Sequence, residues 1–214
     1  MKPSALVPSL LAASLMSLAP LGAQAIVAVP ALPGWTGLGD TTQQAGVLTL
    51  TTAYTLDDDA PFNLSGTPAA DVAALEAAAN LAPYALDLST EHYATEGSIA
   101  TQTITVQAGD VLSFKWSLTS QDALYPDHAF LVLGSQVITL GTALGAPSGP
   151  LSVTHQFTQG GSYLVGVGVV DVVDYVGVST LTVSDVQITS VPEPTTAGLL
   201  LLGLATLGWA ARRR

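Results

Sequence analysis

The chain reads as an all-β protein: an antiparallel β-sandwich of jelly-roll type with one short helix, followed by a C-terminal transmembrane helix. Three observations predict this. The middle of the 214-residue chain consists of short stretches in which apolar and polar residues alternate, the period of a strand with one buried face. Glycine-containing turns such as Gly109-Asp110 and Gly160-Gly161 separate those stretches. The long apolar runs lie at the two ends.

Residues 1–25 have the form of a secretory signal peptide. Lys2 precedes the apolar run Leu10–Leu18, Pro20 and Gly22 break it, and Ala23-Gln24-Ala25 meets the small-x-small rule of signal peptidase. Cleavage there starts the mature chain at Ile26. Residues 26–46, rich in Pro and Gly, form a loose leader that contributes at most an edge strand, and residues 47–190 form the sandwich domain.

Within that domain strands are expected at Val47–Leu56, Ile99–Gln107, Val111–Leu118, Ala129–Leu133, Gln136–Leu140, Leu151–Phe157, Tyr163–Val169 and Val178–Ile188. In the third, Leu112, Phe114, Trp116 and Leu118 share one face and Ser113, Lys115 and Ser117 the other. Gly109-Asp110 before it reads as a hairpin turn. Gly166 and Gly168 sit opposite a valine face, where a neighbouring layer can approach closely. In the last strand the apolar parity shifts from Leu181 and Val183 to Val186 and Ile188, which predicts a bulge near Ser184 and Asp185. One helix is expected, with Thr67 as N-cap, Pro68 at N1 and an alanine-rich run through Ala79, stopped before Pro83.

Residues 195–211 are 17 uncharged residues, the lower limit for spanning hydrocarbon at about 1.5 Å per residue. Arg212, Arg213 and Arg214 follow and stay on the cytoplasmic side, which places the body outside. Val191-Pro192-Glu193-Pro194 stands directly before the apolar run. This order of Pro-Glu-Pro, apolar helix and arginine cluster resembles the PEP-CTERM sorting signal (residues 191–214), which implies export in a Gram-negative envelope and processing by the membrane protease exosortase. The two prolines hold the segment extended, a form that a protease cleft binds by strand-like pairing, and Glu193 supplies its one charge.

The body also has a family look. Ala94-Thr95-Glu96-Gly97-Ser98, Val106 to Trp116, Asp127-His128-Ala129-Phe130 and Gly166 to Val172 resemble the bodies of a common group of PEP-CTERM proteins. The resemblance implies a carbohydrate-module-like sandwich over roughly residues 70–188. Two positions depart from the group: Lys115 replaces an acidic or neutral residue, and the carboxylate expected at Ser184 comes one place later, at Asp185. A one-residue offset is expected to turn that carboxylate to the opposite face.

Charge excludes some functions. The formal net charge is −11, and between residues 26 and 190 the single base Lys115 stands against fifteen acids, a formal −14. Such a surface repels phosphate backbones and anionic lipid, which rules out nucleic-acid binding. Without cysteine there is no disulfide, thiolate zinc site, Cys nucleophile or lipidated Cys anchor.

No nucleophile elbow, zincin pair, phosphate loop or complete dinucleotide fingerprint occurs. His155 falls on the apolar face of its strand as a core residue. His92 lies with Glu91 in a polar loop, and His128, Asp127 and Asp122 read as loop-side polar residues. Calcium is the one cofactor with candidate ligands: Asp57, Asp58 and Asp59 in a row, and Asp171 with Asp174 bracketing a turn, since hard cations favour oxygen clusters. Tyr125 and Tyr175 sit in turns as platforms for a glycan, whereas Trp116 belongs to the core. The sequence therefore points to a non-enzymatic cell-surface or matrix protein whose partners are signal peptidase, exosortase and exopolysaccharide. A carbohydrate-binding module stabilised by calcium is the alternative, with a secreted hydrolase as a third reading.

Overall fold

The computed structural model describes residues 28–30, 34–145, 147–190 and, near the C-terminus, 203, 206, 208, 209, 211 and 212. Ala23, Ala25, Val191, Pro192, Glu193, Pro194, Arg213, Arg214 and most of the apolar segment lie outside the described residues. Among the described residues no helix is long and apolar enough to cross a membrane.

Sheet A contains β1 (Ala28–Pro30), β3 (Asp40–Gln44), β4 (Val47–Thr51), β7 (Val111–Ser120), β10 (Ser148–Gln156) and β12 (Ser179–Thr189). Sheet B contains β2 (Thr36–Leu38), β5 (Ala70–Asp71), β6 (Ala94–Val106), β8 (Asp127–Leu133), β9 (Gln136–Ala143) and β11 (Gly161–Val172). The order is β10-β7-β12-β4-β3 in sheet A, with β1 added to β12, and β2-β6-β11-β8-β9 in sheet B, with β5 added to β6. All pairings are antiparallel.

The alternation in each strand decides which face turns inward. Leu50, Leu112, Phe114, Trp116, Leu118, Leu181 and Val183 of sheet A meet Leu131, Leu133, Val165, Val167 and Val169 of sheet B in the interior. Sheet B also has a second apolar face. Ile99, Phe130, Val132 and Val170 are covered by Leu75, Ala79 and Leu86 from the helix and the loop after it. β8 is therefore buried along its whole length, as is the second half of β11. Gly168 makes that second layer possible, because a Cβ there would stand 2.3 Å from Cζ of Phe130. Among the described residues no second layer covers sheet A, whose outer face is polar on β7 at Ser113, Lys115 and Ser117.

The α-helix, α1 (Val72–Ala78), starts later than the sequence pattern indicates. Asp71, not Thr67, is the N-cap: it is extended and accepts from Ala74 N at 2.9 Å. Ala70 and Asp71 are first drawn into β5, paired with Gly97 and Glu96, so the chain turns helical only after that edge is made. An Asp cap four residues later, about one turn on, then outcompetes the Thr-Pro pair.

The turn at Gly109-Asp110 does not close a hairpin. It carries the chain from sheet B to sheet A, since Val106 pairs with Gly161 and Val111 with Gln156. Its partner is the crossing at residues 157–160: Gly109 N donates to Phe157 O at 2.7 Å, and Phe157 N donates to Asp110 O at 2.8 Å. Val106 and Leu112 both belong to the interior, and only a crossing lets both strands turn their apolar faces into the same space. The leader also enters the sandwich, as the edge strands β1, β2 and β3.

The bulge falls where parity predicts it. Ser184 opposes Lys115 and Gln187 opposes Ser113, so two residues, Asp185 and Val186, oppose Phe114 alone. Asp185 takes φ 55.

Candidate functional site

One end of the sandwich gathers its long connections. Gln121 N donates to Val178 O at 3.1 Å, Thr52 N donates to Ser179 O at 3.0 Å, and Val173 N donates to Tyr93 O at 2.9 Å. These bonds tie the segments after β7, β4 and β11 to one another and to the approach of β6. The same end exposes Leu56, Tyr84, Leu124, Tyr175 and Val176. The opposite end holds tight turns, and there β1 pairs with the last three residues of β12. β1 and the end of β12 therefore lie side by side at the end away from the long connections.

A buried carboxyl pair stands beneath the connections. Asp127 Oδ2 accepts from Ser179 Oγ at 2.6 Å and Ser120 Oγ at 3.2 Å, and its Oδ1 accepts from Val172 N at 3.2 Å. Its neighbour Asp171 is 2% exposed and shares a hydrogen bond with it. Burial, and then the Asp127 carboxylate, pushes Asp171 far above the usual carboxylate range. Asp127 is raised too, by burial that outweighs the hydrogen bonds from Asp171, Ser179 and Val172 N, so the pair favours a proton held between its carboxyls. Glu96 is buried nearby and pushed up to about 7, first by burial and then by the Asp59 carboxylate.

This arrangement separates residues that looked alike in the sequence. Asp171 does not line a turn with Asp174; it is interior and shares a hydrogen bond with Asp127. Asp174 Oδ1 accepts from Val176 N at 3.0 Å and shapes the next turn. Asp57, Asp58 and Asp59 open a 3-10 turn, Asp57–Phe62, in which Asp59 Oδ2 accepts from Tyr54 N at 3.3 Å. Among the described residues no three acidic or histidine side chains come together to hold a metal ion. Asp122 is also interior, and its Oδ1 bonds Leu124 N and Tyr125 N at 2.6 and 3.2 Å. It thereby sets the loop on which Tyr125, half-buried, and Tyr175, 64% exposed on the adjacent connection, are displayed.

The three histidines occupy separate surroundings. His128 belongs to β8 rather than to a loop. It is 1% exposed and lowered to about 4 by burial, against a hydrogen bond to the Leu86 main chain, so it is neutral at pH 7. His155 is half-buried with its ring edge-on to Phe157 at 5.0 Å. His92 Nδ1 lies 3.3 Å from Ser89 Oγ, but that hydroxyl accepts from the main-chain N–H groups of Glu91 and His92 and serves as a turn staple.

A second polar feature lies on the uncovered face of sheet A. Lys115 and Asp185 form an ion pair at 2.9 Å, each more than half exposed. The bulge re-aims Asp185, so the expected change of face does not occur and the carboxylate stays beside Lys115. Around the pair runs a groove of about 490 Å³ whose polar lining is Ser113, Ser152, Thr154 and Gln187. Sequence parity places each of these outward; the pairing of β10 with β7, which brings them together, has no signal in the sequence.

Beyond Thr189 the chain enters its C-terminal segment, and residues 190–214 match the family described as the PEP-CTERM protein-sorting motif. The chain carries a PEP-CTERM sorting tail. That tail is the mark of an exported protein sorted by exosortase. No curated protein matches the chain in sequence. Among solved structures, CBM4 is similar at 12% identity over 73% of this chain and 95% of that one, with a TM-score of 0.36. The N-terminal cellulose-binding domain of Cellulomonas fimi β-1,4-glucanase C is similar at 11% identity over 75% and 91%, with a TM-score of 0.37. A family two carbohydrate esterase from Cellvibrio japonicus is similar at 10% identity over 80% of this chain and 37% of that one, with a TM-score of 0.30.

Proposed function

We propose that this PEP-CTERM protein is a non-enzymatic component of the cell surface or extracellular matrix, anchored transiently in the inner membrane and then processed by exosortase. The sorting tail carries the reading. Signal peptidase cuts after Ala25, the apolar run from Thr195 to Ala211 holds the precursor, and Arg212–Arg214 keep its end in the cytoplasm. The pairing of β1 with the end of β12 supports this, since both processed termini then meet the membrane together and the long connections point outward. The repeated crossing of the chain between sheets supports a jelly-roll topology. The test is the Glu193→Ala variant in a host with exosortase. A subsite that selects a carboxylate loses about 1–3 kcal/mol, or roughly 5- to 150-fold in cleavage, without it. Immunoblots are expected to show full-length protein accumulating; unchanged shortening would count against recognition of Pro192-Glu193-Pro194.

A second reading is carbohydrate binding, favoured by the polar groove and the exposed Tyr175, with Tyr125 and Tyr175 as glycan contacts on the loops. Its calcium component is Asp57, Asp58 and Asp59, or else Asp171 with Asp174, of which Asp171 is interior. An equal Tm in millimolar calcium and in chelator removes that component.

A further inference from the structure

We propose that the groove on the outer face of sheet A binds a neutral, hydroxyl-rich polysaccharide segment, held between Lys115 and the bulged Asp185 and flanked by Ser113, Ser152, Thr154 and Gln187. The proposal rests on the carbohydrate-binding reading and moves the contact surface from the two tyrosines to the sheet face.

The groove lies on β7, β10 and the bulged stretch of β12, where the described pairing of β12 on its other side is interrupted. On the side away from β7, β12 pairs with β4 only as far as Val183↔Leu48, and β1 begins at Gln187↔Pro30. Between them, residues 184–186 pair with no described strand on that side. Ala45 and Gly46, in the turn between β3 and β4, wall the gap. The bulge falls in the same stretch, so Asp185 is held in the left-handed region within a sheet and presents its carboxylate to Lys115. A non-glycine residue at positive φ costs free energy and persists where its surroundings hold it. The volume of about 490 Å³ falls within the roughly 300–1,000 Å³ of small-ligand sites.

Charge selects the class of ligand. The body carries a formal −14, which repels a polyanion, and its single cation is already paired. A polycation is drawn to the acidic body as a whole rather than to this groove. The groove itself is locally neutral. Sugar hydroxyls both donate and accept, and the lining offers a pure donor in Lys115, a pure acceptor in Asp185, and groups of both kinds in Ser, Thr and Gln. A vicinal diol can accept from the ammonium with one oxygen and donate to the carboxylate with the other. Among the described lining residues the one aromatic is Phe114, whose ring is in the core. Recognition is therefore by hydroxyl edges rather than by stacking on ring faces, which suits a single hydrated chain.

The test is affinity electrophoresis of the processed, exported protein through gels containing dextran, galactomannan, xyloglucan or, as the anionic comparison, alginate. Retardation by at least one neutral polymer and not by alginate is expected. The double variant Lys115→Gln, Asp185→Asn keeps a residue that tolerates the left-handed backbone and is expected to bind at least about tenfold more weakly, with its Tm close to the parent's. Tyr84→Ala, at an exposed tyrosine remote from the groove, is expected to stay within about twofold of the parent. Loss in a Tyr125→Ala, Tyr175→Ala variant with none in the double groove variant overturns the groove and leaves carbohydrate binding standing on the loops. Retardation by alginate alone overturns the neutral ligand. No retardation in any gel overturns both the groove and the carbohydrate reading, while exosortase processing is judged separately by the Glu193→Ala blot.

Discussion

Lys115 and Asp185 sit on neighbouring strands as an ion pair at 2.9 Å, although parity counted through β12 sets Asp185 on the opposite face. The bulge at Ser184–Val186 inserts the extra residue that reverses the count. Because both side chains are more than half exposed, the pair itself contributes at most about 1 kcal/mol, and Lys115→Met is expected to change stability by no more than that. Asp185→Ile adds a β-branched side chain at φ 55 and is expected to cost a further 1–2 kcal/mol or so. Urea unfolding of the two variants separates backbone strain from the ion pair; equal effects would contradict the strained bulge.

The Asp127–Asp171 pair sets a pH dependence. Asp171 is raised above its unfolded value, so the folded state binds the extra proton. The stability this contributes is complete below the ordinary carboxylate pKa and declines as pH rises toward the raised value. Asp171→Asn keeps a neutral donor to Asp127 and is expected to flatten that decline between pH 4 and 8 (the window of ordinary buffers). Thermal unfolding across that range reads it directly, and a slope like the parent's would rule out proton sharing.

Asp127→Ala is a different case. It strands the hydroxyls of Ser179 and Ser120 and the N–H of Val172, and is expected to cost about 3 kcal/mol at pH 7. Denaturant titration checks it, with a loss under about 1 kcal/mol contradicting the central role of this carboxylate.

Glu96 gives a second, separable step. With its folded value near 7, the stability it contributes is present below about 4.5 and is lost as pH rises through 7. Glu96→Gln is expected to remove the portion of the decline centred near neutrality. Asp59→Asn is expected to shift that portion to lower pH, because the Asp59 carboxylate is the second cause of the raised value.

Gly168→Ala tests the second layer of sheet B. The new methyl meets Cζ of Phe130 at 2.3 Å and is expected to cost about 1–3 kcal/mol. Phe130→Leu removes the ring and leaves a cavity of its own, yet the double variant is expected to be more stable than the sum of the two losses predicts. Strict additivity would show that the ring moves aside freely.

Much of this protein is determined locally. Strand positions, the bulge near Ser184, the interior place of Trp116 and the room beside Gly168 follow from alternation and side-chain size within single segments. The sorting tail is legible in the same way, because Val191-Pro192-Glu193-Pro194, the apolar run and Arg212–Arg214 act in linear order. What the sequence could not settle are facts about pairs distant along the chain. Asp171 and Asp174 look alike three residues apart, yet one is enclosed against Asp127 while the other shapes a turn. Thr67-Pro68 has the stronger cap signature, but the pairing of β5 with β6 delays the helix to Asp71. Gly109-Asp110 has the composition of a hairpin turn, but burying Val106 and Leu112 in one interior requires the chain to cross between sheets. The groove depends on three strands meeting at residues 113, 152 and 187, and no local preference encodes which strands become neighbours; burial of the apolar faces decides that.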